Sequence, residues 1–91
     1  MAKIILTAKV KNGSKWEKGY RSHGDLFKAA GLGTMHYTVD DKDRVVIYTD
    51  VDDLDAYMKF MGSDETRAAM KNDGVKRKSV KLFVLDKEFS G

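Results

Sequence analysis

The sequence predicts an α+β fold with the element order β-α-β-β-α-β, and three patterns lead to this prediction. Four short segments are rich in strand-forming residues, most of which alternate between apolar and polar. Two longer segments place apolar residues three or four positions apart, which is the period of an amphipathic helix. Residues that favour turns separate these segments, so each predicted element has a start and an end.

The first strand is predicted over residues 2–11 and is followed by a turn at residues 12–13. Ser14 is the predicted N-cap of the first helix, because Glu17 three residues later completes a capping-box pattern. The helix is expected to end at Gly31, since glycine readily takes the left-handed conformation that closes a helix. One strand, one turn and one helix are therefore predicted for the first third of the chain.

Two further strands are predicted over residues 32–39 and 44–49, joined by an acidic turn. A second helix is expected over residues 52–74, interrupted at Gly62. Its buried stripe is predicted to consist of Leu54, Tyr57, Met58 and Met61. The middle of the chain is thus predicted to be a hairpin followed by a broken helix.

The last strand is predicted over residues 79–85, after a basic loop at residues 76–78. The complete order is that of a ferredoxin-like fold, a four-stranded antiparallel sheet with both helices on one face. The third and last strands, however, carry large apolar residues on both of their faces. A second copy of the chain, packed sheet against sheet, would cover the face that the helices leave open. We therefore predict a two-fold homodimer.

The composition limits the class of protein. A chain of 91 residues is enough for a single domain, which is predicted over residues 1–91. The sequence contains no cysteine, which excludes disulfides, thiolate catalysis and cysteine-ligated metals. It has no run of roughly 20 apolar residues that could span a bilayer and no signal-peptide pattern. A cytoplasmic protein without a membrane segment is therefore predicted.

The net charge of +3 is unevenly distributed along the chain. Residues 1–30 carry about five net positive charges, residues 40–66 about six net negative charges and residues 67–91 about four net positive charges. Nucleic-acid-binding proteins usually gather positive charge on one surface with aromatic residues nearby, and the basic run at 76–78 has none beside it. The pattern therefore does not favour a nucleic-acid partner. It suits solvent-exposed faces of mixed sign or self-association.

The first helix contains the strongest candidate for a functional site. The residues on one of its faces are Trp16, Tyr20, His23, Phe27 and Ala30. This face is apolar with one titratable group at its centre, as in the wall of a ligand pocket. The imidazole of His23 can take or give a proton at neutral pH, and Tyr20 can orient a ligand or donate to it. Trp16 and Phe27 can hold an apolar or aromatic molecule, although a packed core would explain the same face.

Other candidate residues have weaker support. His36 lies on a strand between two threonines, and Met58 can line an adaptable pocket, although methionine more often fills gaps in a core. The aspartates at residues 50–55 lack the glycine and the distal glutamate of a calcium loop. The two histidines lack metal-binding spacing. We therefore predict no metal ion and no cofactor.

Three parts of the sequence carry a resemblance to a known family. They are residues 16–20 with 23 and 28–31, residues 46–48 with 52–57, and residues 63–75 with the strand after them. Together they cover nearly the whole chain. In these parts the sequence resembles the dimeric α/β barrel superfamily, which includes antibiotic-biosynthesis-monooxygenase-like proteins, small polyketide-cyclase-like proteins and many uncharacterised proteins.

The resemblance implies a homodimer with a cavity between helices and sheet in each subunit. Enzymes of this group act on aromatic or polyketide-like molecules, often without a cofactor, whereas other members only bind small molecules. In the cyclases a histidine and a tyrosine transfer protons, and His23 and Tyr20 would take these roles. A haem site, found in some relatives, would need His23 or His36 as axial ligand. Two functions stay open: a cofactor-free enzyme on an apolar or aromatic substrate, and a non-catalytic dimeric module that binds a ligand or a protein.

Overall fold

The computed structural model describes residues 2–91 and has the predicted order of elements, with both helical segments divided in two. The elements are β1 (Ala2–Val10), α1 (Gly13–Ser22), α2 (Gly24–Ala29), β2 (Leu32–Val39), β3 (Arg44–Val51), α3 (Leu54–Met61), α4 (Asp64–Asn72) and β4 (Val75–Leu85). The prediction of an α+β fold with this order is confirmed.

The four strands form one antiparallel sheet in the order β2-β3-β1-β4. The buried side chains of the central strand β1 are those of Ile4, Leu6, Ala8 and Val10. The helices pack on the face that carries these side chains, where Trp16 and Tyr57 complete the core. A sheet with helices on one face is the ferredoxin-like arrangement that the sequence predicts.

Helix α1 begins earlier than predicted, because its N-cap is Asn12 and not Ser14. The Asn12 side chain accepts a hydrogen bond from the backbone N–H of Lys15 over 3.1 Å. The first helical residue, Gly13, is buried, and its N–H donates to the Asp43 carboxylate over 2.9 Å. A contact with the turn between β2 and β3 therefore accompanies the start of this helix. A capping pattern in the local sequence does not reveal such a contact.

The helical segment that the sequence predicts as one helix is divided at His23. The His23 N–H donates to the carbonyl of Tyr20, three residues back, which tightens the last turn of α1. Helix α2 then begins at Gly24. Gly31 has a φ of +77°, which confirms the left-handed residue predicted at the end of this segment. The division places His23 at the corner between two short helices.

Strand β4 begins at Val75, so the prediction of a loop over residues 76–78 was wrong. Val75 already pairs with Val10 of β1, and the basic residues that follow lie within the same strand. Backbone hydrogen bonds to a neighbouring strand satisfy donors and acceptors that a loop would leave to water. Pairing of Val75 and Lys76 with β1 therefore starts the strand before a segment whose local sequence indicates a loop.

The side of the sheet opposite the helices carries a row of large side chains, which we call the outer face. One residue of each strand contributes, in the order His36, Tyr48, Ile5 and Phe83, and each pairs with the next across the sheet. Phe83 is 50% exposed, and Val46 beside Tyr48 is 40% exposed. Apolar residues thus occupy both faces of β3 and β4, as the sequence predicts.

Met58 does not belong to the buried stripe of the second helical segment, so this part of the prediction was wrong. Its side chain is 50% exposed, whereas that of Tyr57 is 4% exposed. Helix α3 turns Tyr57 toward the sheet, and the next residue along a helix points about 100° away. Phe60 packs against Tyr57 in the core instead, with ring centroids 6.4 Å apart.

Candidate functional site

A cavity of about 80 Å³ lies between the helices and the inner face of the sheet. Its wall is almost entirely apolar. The helices contribute the aromatic residues predicted for this role, namely Trp16, Tyr20, His23 and Phe27. Methionines from three other elements complete the wall, namely Met35, Met61 and Met70. The structure therefore brings four of the six predicted site residues to one cavity.

The aromatic side chains of this wall pack against one another. Trp16 and Tyr20 are stacked with ring centroids 4.6 Å apart, and Tyr20 and Phe27 are tilted at 4.9 Å. Trp16 is 3% exposed, so it also serves as a core residue. Such contacts hold the rings in fixed orientations. The face predicted as a pocket wall is therefore at once part of the core and part of a cavity lining.

The polar centre of the cavity is a pair formed by His23 and Asp73. The His23 Nε2 atom lies 3.1 Å from the Asp73 Oδ2 atom, and the two side chains are 24% and 6% exposed. Asp73 caps the C-terminal end of α4, fifty residues from His23. When Nε2 donates its proton to this carboxylate, Nδ1 keeps a lone pair that can accept a proton. The pair has the arrangement of a general base held by a carboxylate.

Because Gly19 has no side chain, the Asp73 carboxylate can occupy the space beside it. A Cβ atom at position 19 would lie 2.2 Å from the Asp73 Oδ1 atom, closer than any side chain tolerates. We therefore expect Gly19→Ala to displace Asp73 and to break its hydrogen bond to His23. Because a buried carboxylate would then lose its partner, the free energy of unfolding should fall by about 1–3 kcal/mol. Urea denaturation and the imidazole NMR signals of His23 measure the two effects.

Gly24→Ala is the matched control for Gly19→Ala. A Cβ atom at position 24 meets nothing within 4 Å, and the residue is helical. Alanine should therefore stabilise the protein by up to about 1 kcal/mol, through its higher helix propensity. Equal stability of the two variants would contradict the close approach of Asp73 to Gly19.

Two tyrosines of the cavity are held in their neutral form. Burial raises the pKa of Tyr20 above its ordinary value, and the nearby phenols of Tyr57 and Tyr37 add to this effect. Burial also raises the pKa of Tyr57 to about 12. The Tyr20 hydroxyl donates to the Met35 sulfur over 3.0 Å. At neutral pH these phenols can therefore donate hydrogen bonds but cannot accept a proton as bases.

The two other predicted site residues lie outside the cavity. His36 is on the outer face, where its ring centroid is 6.3 Å from that of Tyr48. Met58 is on the exposed side of α3. The structure does not bring either of them to His23, and a ligand-binding role for them stays a prediction.

Sequence analysis missed Asp73 and a polar network at the edge of the sheet. Asp73 precedes a glycine at a helix end and resembles an ordinary capping residue, so no local signal marks it. In the network, the Tyr37 hydroxyl donates to the Glu17 carboxylate over 2.6 Å and accepts from Arg21 Nε over 2.7 Å. The spacing of Glu17 and Arg21, four residues apart on α1, is the one signal that could have indicated this network.

No helix within residues 2–91 is long and apolar enough to cross a membrane. In the same part of the chain, no group of three or more acidic or histidine side chains is arranged to hold a metal ion. The predicted cytoplasmic location and the predicted lack of a cofactor stay predictions.

Similarity to known proteins is found among solved structures. No protein-family model matches the sequence, and no curated protein matches it. Among solved structures, a protein assigned as an antibiotic biosynthesis monooxygenase from Bordetella bronchiseptica is similar with a TM-score of 0.74 and 18% identity, covering 97% of each chain. A cofactor-independent oxygenase from Streptomyces nogalater gives a TM-score of 0.72 and 9% identity, covering 98% of this chain and 94% of the other.

A third similar structure contains a ligand. It is a monooxygenase from Streptomyces coelicolor in complex with nanaomycin D, with a TM-score of 0.66 and 17% identity, covering 98% of this chain and 88% of the other. At these identities, the similarity concerns the arrangement of the backbone and not the residues of the site. The chain therefore has the same fold as these monooxygenase and oxygenase structures.

Proposed function

We propose that the protein is a cofactor-free oxygenase that binds a small aromatic molecule in the cavity and uses His23 as general base. The observation that carries this proposal is the hydrogen-bonded pair of His23 and Asp73 at the wall of an apolar cavity. A base in such surroundings can remove a proton from a bound molecule while water is largely kept away. The similar oxygenase and monooxygenase structures support the same class of reaction.

The proposed substrate is an aromatic ketone with an acidic CH2 group that is conjugated with the carbonyl through the aromatic rings. His23 removes one proton from this carbon, and the carbanion that remains reduces O2 and forms a C–O bond. The peroxide takes the proton back from His23 and becomes a hydroperoxide. Loss of the second C–H proton and cleavage of the O–O bond then release water and leave a new ketone. The sum is CH2 plus O2 to C=O plus H2O, with O2 as the oxidant.

The volume of the cavity determines how a ligand can enter it. A volume of about 80 Å³ is well below the roughly 300–1,000 Å³ of ordinary small-molecule pockets. An aromatic ligand must therefore displace side chains of the wall. The side chains that can move in this way are those of Met35, Met61 and Met70, because methionine has three rotatable bonds and adapts to irregular shapes. We infer that the ligand enters by moving these methionines while the stacked aromatic rings stay in place.

Ligand binding can be tested with the one indole signal of the protein. Trp16 is the only tryptophan, and its ring lies in the cavity wall, so its indole N–H gives a single NMR cross-peak from the site. Titration with 1-naphthol should shift this peak in a saturable manner, because a bound ring changes the shielding beside Trp16. A titration in which the peak does not move would contradict ligand binding in this cavity.

Turnover is tested separately with anthrone, an aromatic ketone with an acidic CH2 group. The protein should accelerate the formation of anthraquinone and consume one O2 for each ketone formed. Binding of 1-naphthol without any acceleration would contradict the oxygenase and favour the second candidate, a non-catalytic binding module. The observation that favours this second candidate is the burial of Trp16, which is compatible with a wall that serves mainly as core.

We further propose that two copies of the chain associate through their outer faces. The support is the exposed apolar surface around Phe83 and Val46, which a second sheet would remove from water. A charge within such an interface would be buried without a partner. Phe83→Asp should therefore convert a dimer into a monomer at micromolar concentration, as measured by sedimentation equilibrium.

Met58→Asp is the matched control for the association. Met58 is also 50% exposed, but it lies on the helical side of the molecule. The same change of apolar side chain to carboxylate should leave the dimer intact there. A monomeric unmodified protein, or equal dissociation of both variants, would contradict association through the outer face.

A further inference from the structure

A second concave surface lies behind the turn between α4 and β4, and its charged side chains are all basic. It is a groove of about 280 Å³, and its charged residues are Lys11, Arg67, Lys71 and Arg77. Three small or apolar residues complete it, and no carboxylate belongs to its lining. We call this surface the basic groove. Only Val75 is shared with the lining of the cavity at His23, so the two sites are separate.

The four cations of the basic groove have no ion-pair partner among residues 2–91. None of them forms an ion pair with a carboxylate of residues 2–91, where the ion pairs involve Arg21, His23 and Arg44. Arg67 and Lys71 are four residues apart on α4, so two like charges face each other on adjacent turns, which is unfavourable. An anion bound between them would relieve this repulsion.

A backbone hydrogen bond joins the two strands that border the basic groove. The N–H of Lys11 donates to the carbonyl of Gly74 over 3.0 Å, which ties the end of β1 to the start of β4. Gly74 has a φ of +80°, a conformation that favours glycine, and packs directly against Lys11. The two sides of the groove therefore meet at a junction that a larger residue at position 74 would strain.

A bulge in β4 contributes the last cation. Thr7 and Lys9 are two positions apart in β1, but their partners Lys81 and Lys76 are five apart in β4. The extra residues of β4 include Arg77, and the Ser79 hydroxyl anchors them by accepting from the Lys9 N–H over 2.8 Å. Bulges of this kind change the direction of side chains and often occur beside functional sites. Here the bulged segment contributes Arg77 to the groove.

We propose that the basic groove binds a small molecule with a diphosphate or a similar pair of adjacent phosphate groups. Arginine and lysine are the residues that bind phosphate, arginine through paired N–H donors and lysine as a point charge. Four cations match the charge of a diphosphate better than that of a single carboxylate. The volume of the groove lies near the lower end of small-molecule pockets, which favours a compact ligand. This site is independent of the proposed chemistry at His23.

Calorimetric titration with inorganic pyrophosphate tests this proposal. The unmodified protein should bind pyrophosphate, and binding should weaken as salt is raised because the attraction is electrostatic. Arg67→Gln combined with Lys71→Gln should increase Kd by about tenfold or more, since two charge-assisted hydrogen bonds are lost. Arg77→Gln should weaken binding as well. No binding to the unmodified protein would overturn the proposal.

A control variant distinguishes binding in the basic groove from a general attraction to the net positive charge of the protein. Lys28→Gln combined with Lys59→Gln removes two exposed cations from α2 and α3, outside the groove. It lowers the net charge by the same amount and should leave Kd unchanged. Equal weakening in both double variants would overturn the proposal. So would tight binding of a single-stranded oligonucleotide that pyrophosphate cannot displace, since it would assign the surface to nucleic acid.

Discussion

Replacing Trp16 with alanine is expected to lower the free energy of unfolding by about 3–5 kcal/mol, as for other large aromatic residues in protein cores. Trp16 is 3% exposed and contacts Tyr20 and Tyr37, so its removal opens a void that the neighbouring rings cannot fill. Small domains are stable by only about 5–15 kcal/mol, so this loss is a large share of the total. Urea denaturation followed by circular dichroism measures it.

Phe89→Ala is the control for the loss of an aromatic side chain. Phe89 lies beyond β4 and is 92% exposed, so its removal should change the free energy of unfolding by less than about 0.5 kcal/mol. A cost of less than about 1 kcal/mol for Trp16→Ala would mean that the surrounding rings close the space. The same variant is unsuitable for testing ligand binding, because Trp16 is part of both the core and the cavity wall.

Replacing His23 with glutamine is expected to reduce the oxidation of anthrone by about 10²–10⁴-fold, the usual contribution of a general acid–base group. Glutamine can still donate a hydrogen bond to Asp73, so the buried carboxylate keeps a partner and the fold should be retained. It cannot take a proton from the substrate. The rate of anthraquinone formation, with circular dichroism as the check of folding, measures the effect.

Two further variants test whether the loss of anthrone oxidation is due to the His23–Asp73 pair. Asp73→Asn removes the charge that stabilises a protonated imidazole and should also lower the rate, although the amide nearly preserves the shape of the side chain. His36→Gln changes the only other histidine, which lies outside the cavity, and should leave the rate unchanged. A loss of activity in His36→Gln as large as in His23→Gln would contradict the assignment of the base.

Much of the fold could be predicted from the sequence because it depends on short-range periodicity. Alternating residues in β1 place Ile4 and Leu6 on one face whatever the partner strands are. The spacing of Trp16 and Tyr20 puts them on one side of α1, and this side forms part of the cavity wall. Such patterns are properties of neighbouring residues and are therefore visible in the sequence.

The errors occurred where a contact distant in sequence outweighs a local preference. The hydrogen bond from Gly13 to Asp43 accompanies the earlier start of α1, which the capping pattern at Ser14 did not indicate. Pairing of Lys76 with Lys9 of β1 draws the start of the basic segment into the sheet, and the rest of the segment lies in a bulge of the same strand. Met58 has the spacing of a buried residue, but the orientation of α3 on the sheet turns it outward.

The candidate site shows the same division between local pattern and distant contact. The shared face of Trp16 and Tyr20 follows from helical spacing within α1, although the helix breaks at His23 and Phe27 lies on α2. The partner of His23 does not follow from spacing, since Asp73 is fifty residues away and the two meet only when α4 lies across the sheet beside α1. Gly19 has no side chain and so leaves room for the Asp73 carboxylate. The need for glycine at this position cannot be predicted from the sequence, because it depends on that contact. Periodicity thus predicts which residues share a surface, whereas packing of distant elements decides which of them can act together.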